Sequence, residues 1–84
     1  MTQEVHNRQV YYAGSTIFRE GEFGSRAFLI ASGSVEISKH IAGENVVLGR
    51  IGPGDIFGEM ALIDKQPRSA TATVKETTVL VVVN

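Results

Sequence analysis

The sequence Phe57-Gly58-Glu59-Met60-Ala61-Leu62-Ile63 is followed, after three residues, by Pro67-Arg68-Ser69-Ala70-Thr71. The first segment places one carboxylate among small residues, where backbone N–H groups are accessible. The second segment brings a guanidinium back towards the same place, and a guanidinium pairs with phosphate oxygens through two parallel N–H donors. A carboxylate and an arginine beside bare amides suit a ligand that carries both a hydroxyl and a phosphate. The pattern therefore indicates a binding site rather than a catalytic one.

The composition excludes several classes of protein. A chain of 84 residues forms one small domain, which buries about 60–65% of the surface that the extended chain exposes. The hydrophobic fraction of 43% and the charged fraction of 20% are those of a globular protein, so wholesale disorder is not expected. A net charge of −1 with dispersed Lys and Arg lacks the basic patch of a nucleic-acid binder, so no direct nucleic acid contact is predicted. Because cysteine is absent, disulfide scaffolds, thiolate zinc sites and cysteine nucleophiles are excluded.

The chain carries no pattern typical of membrane targeting. Its first ten residues are polar and hold no apolar segment of a signal peptide. The longest apolar run, residues 79–83, is far shorter than the roughly 20 residues that a membrane-spanning helix needs. We therefore predict a cytoplasmic protein without membrane insertion.

Nine glycines divide the chain into short extended segments. Val35 and Ile37 alternate with Glu36 and Ser38, a period of two that predicts a strand with one solvated face. Tight turns are predicted at residues 42–45, where Glu44 and Asn45 belong to the turn, and at residues 52–55. The predicted strands are about eight in number: 9–12, 16–18, 27–32, 34–40, 46–51, 56–57, 70–74 and 77–83.

The only predicted helix is a short one near residues 59–63. The fold class is therefore mainly β. A small antiparallel β-barrel or jelly roll (a double-stranded β-helix) is the expected architecture, because this closure hides the edges of the strands.

The ordered series of turns resembles the cyclic nucleotide-binding domain family, which includes the catabolite activator protein, kinase regulatory subunits and cyclic-nucleotide-gated channels. The likeness extends from about Val10 to Val83. It rests on turns at residues 13–14, 21–22, 32–35 and 52–55, and on residues 57–71, which match the family's phosphate-binding cassette. We call residues 57–71 the cassette.

The resemblance implies roles for three residues of the cassette. In the family, the residue that matches Glu59 accepts a hydrogen bond from the ribose 2′-hydroxyl, and an ionised carboxylate is only an acceptor. The residue that matches Arg68 pairs with the exocyclic oxygens of the cyclic phosphate, which a lysine cannot engage in the same bidentate way. Gly58 allows a close approach of backbone and ligand, because it has no side chain.

Four more residues complete the predicted site. The turn after Glu59 is expected to direct free amides of Met60 and Ala61 at the anion, as helix starts do. Ser69 is expected to offer a hydroxyl donor to the phosphate, and Ile51 matches an apolar position that lines the base pocket of the family. In the family, a threonine directly after the arginine accompanies cyclic GMP, and an alanine or serine accompanies cyclic AMP. Ser69 therefore favours cyclic AMP.

Each residue also has an ordinary structural interpretation. Arg68 taken alone is a solvated surface arginine, or a structural partner of Glu59 in an ion pair. Asp55 is interpreted as a turn former, and Ser69 as a small residue of a tightly packed strand. The segments Arg19-Glu20 and Lys39-His40 are expected at solvated faces or turn ends. Five apolar residues are expected in the core rather than against a ligand: Phe18, Phe28, Ile51, Phe57 and Leu62.

The chain is divided into a polar N-terminal segment, residues 1–8, and a cyclic nucleotide-binding β unit, residues 9–84. Members of the family usually have helices after the last strand, one of which closes over the base. No such helix follows residue 84 here. We therefore expect weakened binding, and an effector domain or protein outside this chain. A homo-oligomer is an open alternative.

The leading hypothesis is a regulatory module, not an enzyme, that binds a cyclic nucleotide, with cyclic AMP favoured over cyclic GMP and no metal required. The alternative is a nucleotide-free interaction module, which associates through a bare last strand or an exposed apolar face. A cupin-like enzyme would need a His/Glu metal cluster, which His6 and His40 do not supply.

Overall fold

The computed structural model describes residues 7–83, so residues 1–6 of the predicted N-terminal segment, His6 among them, and Asn84 lie outside it. Within this range the prediction of about eight short strands and one short helix is confirmed. The single-turn 3₁₀ helix, Glu59–Leu62, falls inside the cassette. The strands are β1 (Arg8–Tyr11), β2 (Thr16–Phe18), β3 (Ala27–Ser32), β4 (Val35–Ile41), β5 (Glu44–Ile51), β6 (Ile56–Phe57), β7 (Thr71–Thr73) and β8 (Thr78–Val83).

The strands form two four-stranded antiparallel sheets, in the orders β1-β8-β3-β6 and β2-β7-β4-β5. The mainly β prediction is confirmed, as two sheets facing each other and not as a closed barrel. The edge strands β6 and β2 have two and three residues, too few to carry hydrogen bonding continuously from one sheet to the other.

The core lies between the two sheets. One sheet contributes Phe28, Ile30, Phe57, Leu80 and Val82, and the other side contributes Val35, Ala72 and Val74. The period-two burial of β8 explains this arrangement, because Thr78, Leu80 and Val82 all point inwards. Burial of such side chains is the main stabilising contribution to a domain of this size.

The five apolar residues predicted for the core have different outcomes. Phe28 and Phe57 are buried in the core, and Phe18 and Ile51 pack against the core from half-buried positions. The rings of Phe18, Phe28 and Phe57 form one cluster, with centroids 5.3–6.1 Å apart. The prediction was wrong for Leu62, which is 43% exposed. Leu62 ends the 3₁₀ helix, and this helix lies on the surface with no buried residue.

The solvated face predicted for β4 is in fact covered. Glu36 and Ser38 are buried, because β4 lies between β5 and β7 and has side chains on both flanks. The carboxylate of Glu36 lies 3.5 Å from Arg50 and 3.6 Å from Lys75. These two cations compensate the carboxylate for much of the water that it loses.

The hairpin between β4 and β5 is tighter than predicted. Ala42 and Gly43 both have positive φ, 53° and 83°. Two successive residues of this kind form the two-residue turn whose twist matches that of an antiparallel pair. Glu44 therefore already pairs with Ile41, and β5 begins two residues before its predicted start.

The last strand is not an open edge, and the prediction that it is bare was wrong. β8 pairs with β1 on one side and with β3 on the other. Within residues 7–83, the longest strand with a single neighbour is β5, where Val46, Val47 and Leu48 are exposed. In the same range, no helix has the length and apolar character needed to cross a bilayer.

Candidate functional site

A cavity of about 320 Å³ brings most of the cassette together with the inner faces of β2 and β4. Five of the seven predicted site residues line it: Gly58, Met60, Ala61, Arg68 and Ser69. The other lining residues are Phe18, Ile37, Phe57, Asp64, Gln66, Pro67 and Ala70. The volume lies at the lower end of the range of small-molecule sites, which is about 300–1,000 Å³.

The guanidinium of Arg68 is held inside the cavity wall. Its Nη1 donates to the carbonyl of Gly58 at 3.2 Å, and its Nη2 donates to the carbonyl of Arg26 at 2.9 Å. The guanidinium carbon lies 4.2 Å from the centre of the Phe18 ring, an arrangement that favours a cation. Arg68 is therefore not the solvated surface arginine that its position alone would suggest.

The electrostatic surroundings of Arg68 favour an anionic ligand. Burial lowers the pKa of Arg68, the nearby positive charge of Arg26 lowers it further, and the carboxylate of Glu22 partly opposes both effects. An arginine still keeps its proton under such conditions. An anion bound beside the guanidinium would relieve the unfavourable burial of this charge.

The main chain of Arg68 is fixed by the loop between β2 and β3. The N–H of Gly21 donates to the carbonyl of Arg68 at 2.8 Å, and the N–H of Arg68 donates to the carbonyl of Glu22 at 2.8 Å. These two hydrogen bonds join segments that lie far apart in the sequence. They determine where the side chain of Arg68 begins.

Gly58 starts the 3₁₀ helix with a left-handed backbone, φ 73°. A Cβ at this position would lie 2.8 Å from Nη1 of Arg68, so only glycine fits both the conformation and the contact. The expectation of two free amides was wrong for Ala61, because its N–H donates to the carbonyl of Gly58 at 3.2 Å. A 3₁₀ turn closes its hydrogen bond one residue earlier than an α-helix and so occupies this donor.

Glu59 and Ile51 do not line the cavity. Glu59 is exposed at the first position of the 3₁₀ helix, directly after the carbonyl that Arg68 contacts. No ion pair joins Glu59 to Arg68 within the described range, so the ion-pair interpretation is not observed. Ile51 ends β5 opposite Val35 and packs half-buried against the core.

A polar cluster that was not predicted from the sequence lies next to Ser69. The ammonium of Lys39 donates to the carbonyl of Ser69 at 2.6 Å and lies 3.3 Å from the carboxylate of Glu20. The same carboxylate accepts the N–H of His40 at 2.9 Å, and the N–H of Glu20 donates to the hydroxyl of Thr71 at 2.9 Å. The cluster thus connects the end of the cassette to β4.

One signal for Lys39 was present in the sequence. Lys39 continues the inward alternation of Val35 and Ile37 along β4, so its stem starts on the cavity side of the sheet. No comparable signal marked Glu20, which reaches the cluster from a separate loop.

Glu20 predicts a dependence of stability on pH. The hydrogen bond from the N–H of His40 lowers the pKa of Glu20 below its ordinary value of 4.5, partial desolvation opposes this shift, and Lys39 adds to it. A lowered folded-state pKa gives a stabilising contribution that is present above the unfolded-state value and is lost as the pH falls through the folded-state value. We expect Glu20→Gln to reduce stability near neutral pH, and the difference from the parent to shrink below pH 4.5.

Urea unfolding of the parent and of Glu20→Gln between neutral and acid pH measures this difference. A difference that stays constant through the acid range would show that the carboxylate charge has no role in the cluster.

Asp55 has the structural role expected of it. Its carboxylate accepts the N–H of Gly52 at 2.9 Å, and its own N–H donates to the carbonyl of Gly52 at 3.0 Å. Within residues 7–83, no group of three His, Cys, Asp or Glu side chains is placed to hold a metal ion.

Comparison with known proteins identifies the family. Residues 8–84 match the family model described as the cyclic nucleotide-binding domain. The cyclic AMP receptor protein of Thermus thermophilus is 42% identical over 74 residues, which cover 87% of this chain and 34% of that protein. The chain thus spans about a third of the length of this curated relative.

Solved structures agree with this match. The regulatory domain of Toxoplasma gondii PKA, solved with cAMP, has a TM-score of 0.89 at 35% identity and covers 94% of this chain and 30% of its own. The cAMP-bound form of the EAL enzyme Bd1971 has a TM-score of 0.86 at 39% identity, over 92% of this chain and 21% of that one. The cGMP-bound form of the same enzyme has a TM-score of 0.87 over the same shares. Because the family model matches nearly the whole chain, this chain belongs to the cyclic nucleotide-binding domain family.

Proposed function

We propose that this domain binds a cyclic nucleotide in the cavity at Arg68 and acts as a regulatory module rather than as an enzyme. The observation that carries the proposal is the position of the guanidinium, which lies in the cavity wall with two donors held by carbonyls. Among contacts with residues 7–83, two of its five N–H donors are in use, and the other three (five minus two) are available for a phosphate.

The other predicted residues take their roles from this position. Arg68 pairs with the exocyclic oxygens of the cyclic phosphate, and Gly58 lets the ligand approach the backbone. Met60 contributes its amide, and Ala61 contributes the small surface of its side chain. Ser69 offers a hydroxyl from the cavity wall.

Glu59 and Ile51 belong to the proposed site only if the ligand extends past the present cavity wall. Glu59 then accepts the ribose hydroxyl from its exposed position on the 3₁₀ helix, and Ile51 contacts the base. A contact with Glu59 or with Ile51 therefore needs a ligand larger than the phosphate alone.

The favoured ligand is cyclic AMP rather than cyclic GMP. Ser69 supports this preference, because it lacks the methyl group of the threonine that accompanies cyclic GMP in the family. The curated relative from Thermus thermophilus is named for cyclic AMP, whereas Bd1971 has been solved with both nucleotides. Only a direct comparison of the two ligands separates them.

Binding is proposed to act on an effector domain or protein. The relatives are longer than the part that matches this chain, which leaves room for effectors in them. The ligand shifts a conformational equilibrium only by its difference in affinity for the two states. A cytoplasmic location and a homo-oligomeric state stay predictions.

A thermal-shift series against cyclic AMP, cyclic GMP and 5′-AMP tests the proposal. A ligand at 100 times its Kd stabilises the folded state by about 2.7 kcal/mol, which corresponds to roughly 10–20 °C in Tm for a domain of this size. We expect this shift with cyclic AMP, a smaller one with cyclic GMP, and none with 5′-AMP at the same concentration. Equal Tm values with all three nucleotides would contradict the proposal.

A nucleotide-free interaction module is the second candidate. The observation that favours it is the exposed apolar edge strand β5 with Val46, Val47 and Leu48. It predicts self-association that a charged substitution such as Val47→Lys abolishes, with no effect of nucleotides on Tm. Analytical ultracentrifugation of the parent and of this variant separates the two candidates.

A further inference from the structure

We propose that Gly24 is a positioning residue for Arg68, and that the missing side chain at this position keeps the guanidinium in its binding pose. The inference rests on the proposed function, because it assigns a role at the same site. Gly24 lies in the loop between β2 and β3, which also holds the main chain of Arg68 through Gly21 and Glu22. One loop therefore fixes both ends of the arginine.

The contact between Gly24 and the guanidinium is close. A Cβ built on Gly24 would lie 2.6 Å from Nη2, 3.1 Å from Nε and 3.2 Å from the guanidinium carbon of Arg68. Ordinary van der Waals contact begins at 3.4 Å, so Nη2 would have to retreat by about 0.8 Å (3.4 minus 2.6). The same Nη2 donates to the carbonyl of Arg26, and this hydrogen bond would be strained or lost.

Gly24 differs from most glycines of this chain, because its backbone does not require a glycine. Six glycines have positive φ, and Gly24 is not one of them. An alanine is therefore compatible with the backbone at position 24, and its effect is confined to the space that the guanidinium occupies. Gly58 also touches the guanidinium, but its φ of 73° would add backbone strain to any substitution.

The atom that a Cβ at position 24 would meet is the far end of a flexible side chain. The three atoms nearest to this Cβ all belong to the side chain of Arg68 and none to the backbone, so the guanidinium can move away at small cost to folding. It then leaves its present position in the cavity wall. A guanidinium held in place before binding loses little freedom when the anion arrives, and this advantage is lost when it is displaced.

Gly24→Ala tests the inference, with Gly49→Ala as the matched control. Gly49 also lacks a positive φ, and a Cβ on it meets nothing within 4 Å. We expect Gly24→Ala to lower the affinity for cyclic AMP about tenfold, less than the roughly hundredfold effect that a 1 Å displacement has on reacting groups. We expect its urea midpoint to stay close to that of Gly49→Ala, and Gly49→Ala to bind as the parent does.

A second measurement on the ligand-free protein keeps the inference separate from the proposed function. The Nε–H resonance of Arg68 in a ¹⁵N-labelled sample should move in Gly24→Ala and stay in Gly49→Ala. If the parent binds no cyclic nucleotide, the proposed function fails, and the resonance still decides whether Gly24 places the guanidinium. If the parent binds but Gly24→Ala keeps both the parent affinity and the parent resonance, the role assigned to Gly24 is overturned.

Discussion

Replacing Arg68 by alanine is expected to lower the affinity for cyclic AMP by roughly 30-fold to several thousand-fold. This range corresponds to about 2–5 kcal/mol, which is typical for removing one partner of a buried, hydrogen-bonded charge pair. Arg68 is half-buried, so we expect the lower half of the range. Isothermal titration calorimetry of the parent and the variant measures the change.

Two further variants separate the geometry of Arg68 from its charge. Arg68→Lys keeps the positive charge but loses the planar fork, and we expect it to recover only part of the affinity. Arg19→Ala removes the same charge from an exposed position and should bind as the parent does. Parent-like affinity in Arg68→Ala, with the fold intact, would refute the site assignment.

Replacing Gly33 by alanine is expected to cost the domain roughly 2–5 kcal/mol of folding free energy, from a left-handed backbone and from overpacking together. Gly33 has φ 89°, and a Cβ on it would lie 2.6 Å from the carbonyl oxygen of Thr77 and 2.7 Å from the Cα of Thr78. Both are backbone atoms, so neither can retreat alone. The start of β8 would have to separate from the turn between β3 and β4.

Thr78 increases the expected cost. Its side chain is fully buried. Its hydroxyl oxygen accepts the N–H of Ser34 at 3.2 Å and lies 3.0 Å from the carbonyl oxygen of Ser34. A separation would leave these buried polar groups without partners. Since small domains have a total stability of about 5–15 kcal/mol, urea denaturation should show a markedly lower midpoint.

Gly14→Ala is the control for the part of the loss that comes from the left-handed backbone alone. Gly14 has φ 92°, but nothing lies within 4 Å of a Cβ built on it. We expect it to lose only the roughly 1–2 kcal/mol of a left-handed non-glycine residue. Equal losses in Gly14→Ala and Gly33→Ala would mean that crowding against β8 is not the cause.

The positions of the strands along the chain could be predicted from the sequence because they depend on local signals. Glycine-bounded extended segments gave the positions of β2, β3 and β6 to the residue. The start of β5 was missed because Asn45 is a typical turn residue, whereas the turn is made by Ala42 and Gly43. The positive φ of Ala42 could not be predicted from the sequence, because alanine rarely adopts this conformation.

The burial of charged residues could not be predicted in the same way. The alternation along β4 correctly placed Glu36 on the face away from the core, but burial there depends on Arg50 and Lys75. These partners come from outside the strand, and a period of two says nothing about them.

The linear cassette was likewise accessible from the sequence, whereas its supports were not. Arg68 depends on carbonyls of Gly58 and Arg26 and on the loop at Gly24, which lies 44 residues before it in the chain (68 minus 24). Such pairings follow from the sheet topology and not from any local pattern. The amide of Ala61 was misjudged for a related reason, since only the structure shows that the turn is of the 3₁₀ type.

The position of β8 between β1 and β3 has a consequence for biosynthesis. β1 leaves the ribosome before the other seven strands and has no partner in its sheet until residues 78–81 have emerged, because Arg8 pairs with Val81 and Tyr11 pairs with Thr78. Within this sheet β3 can pair with β6 earlier, but β1 stays unpaired and β3 has no second neighbour until β8 is available. Pairings between such distant segments are slow, in the range of milliseconds to seconds for β proteins. The nascent domain should be most vulnerable to proteases and to aggregation just before β8 leaves the ribosome.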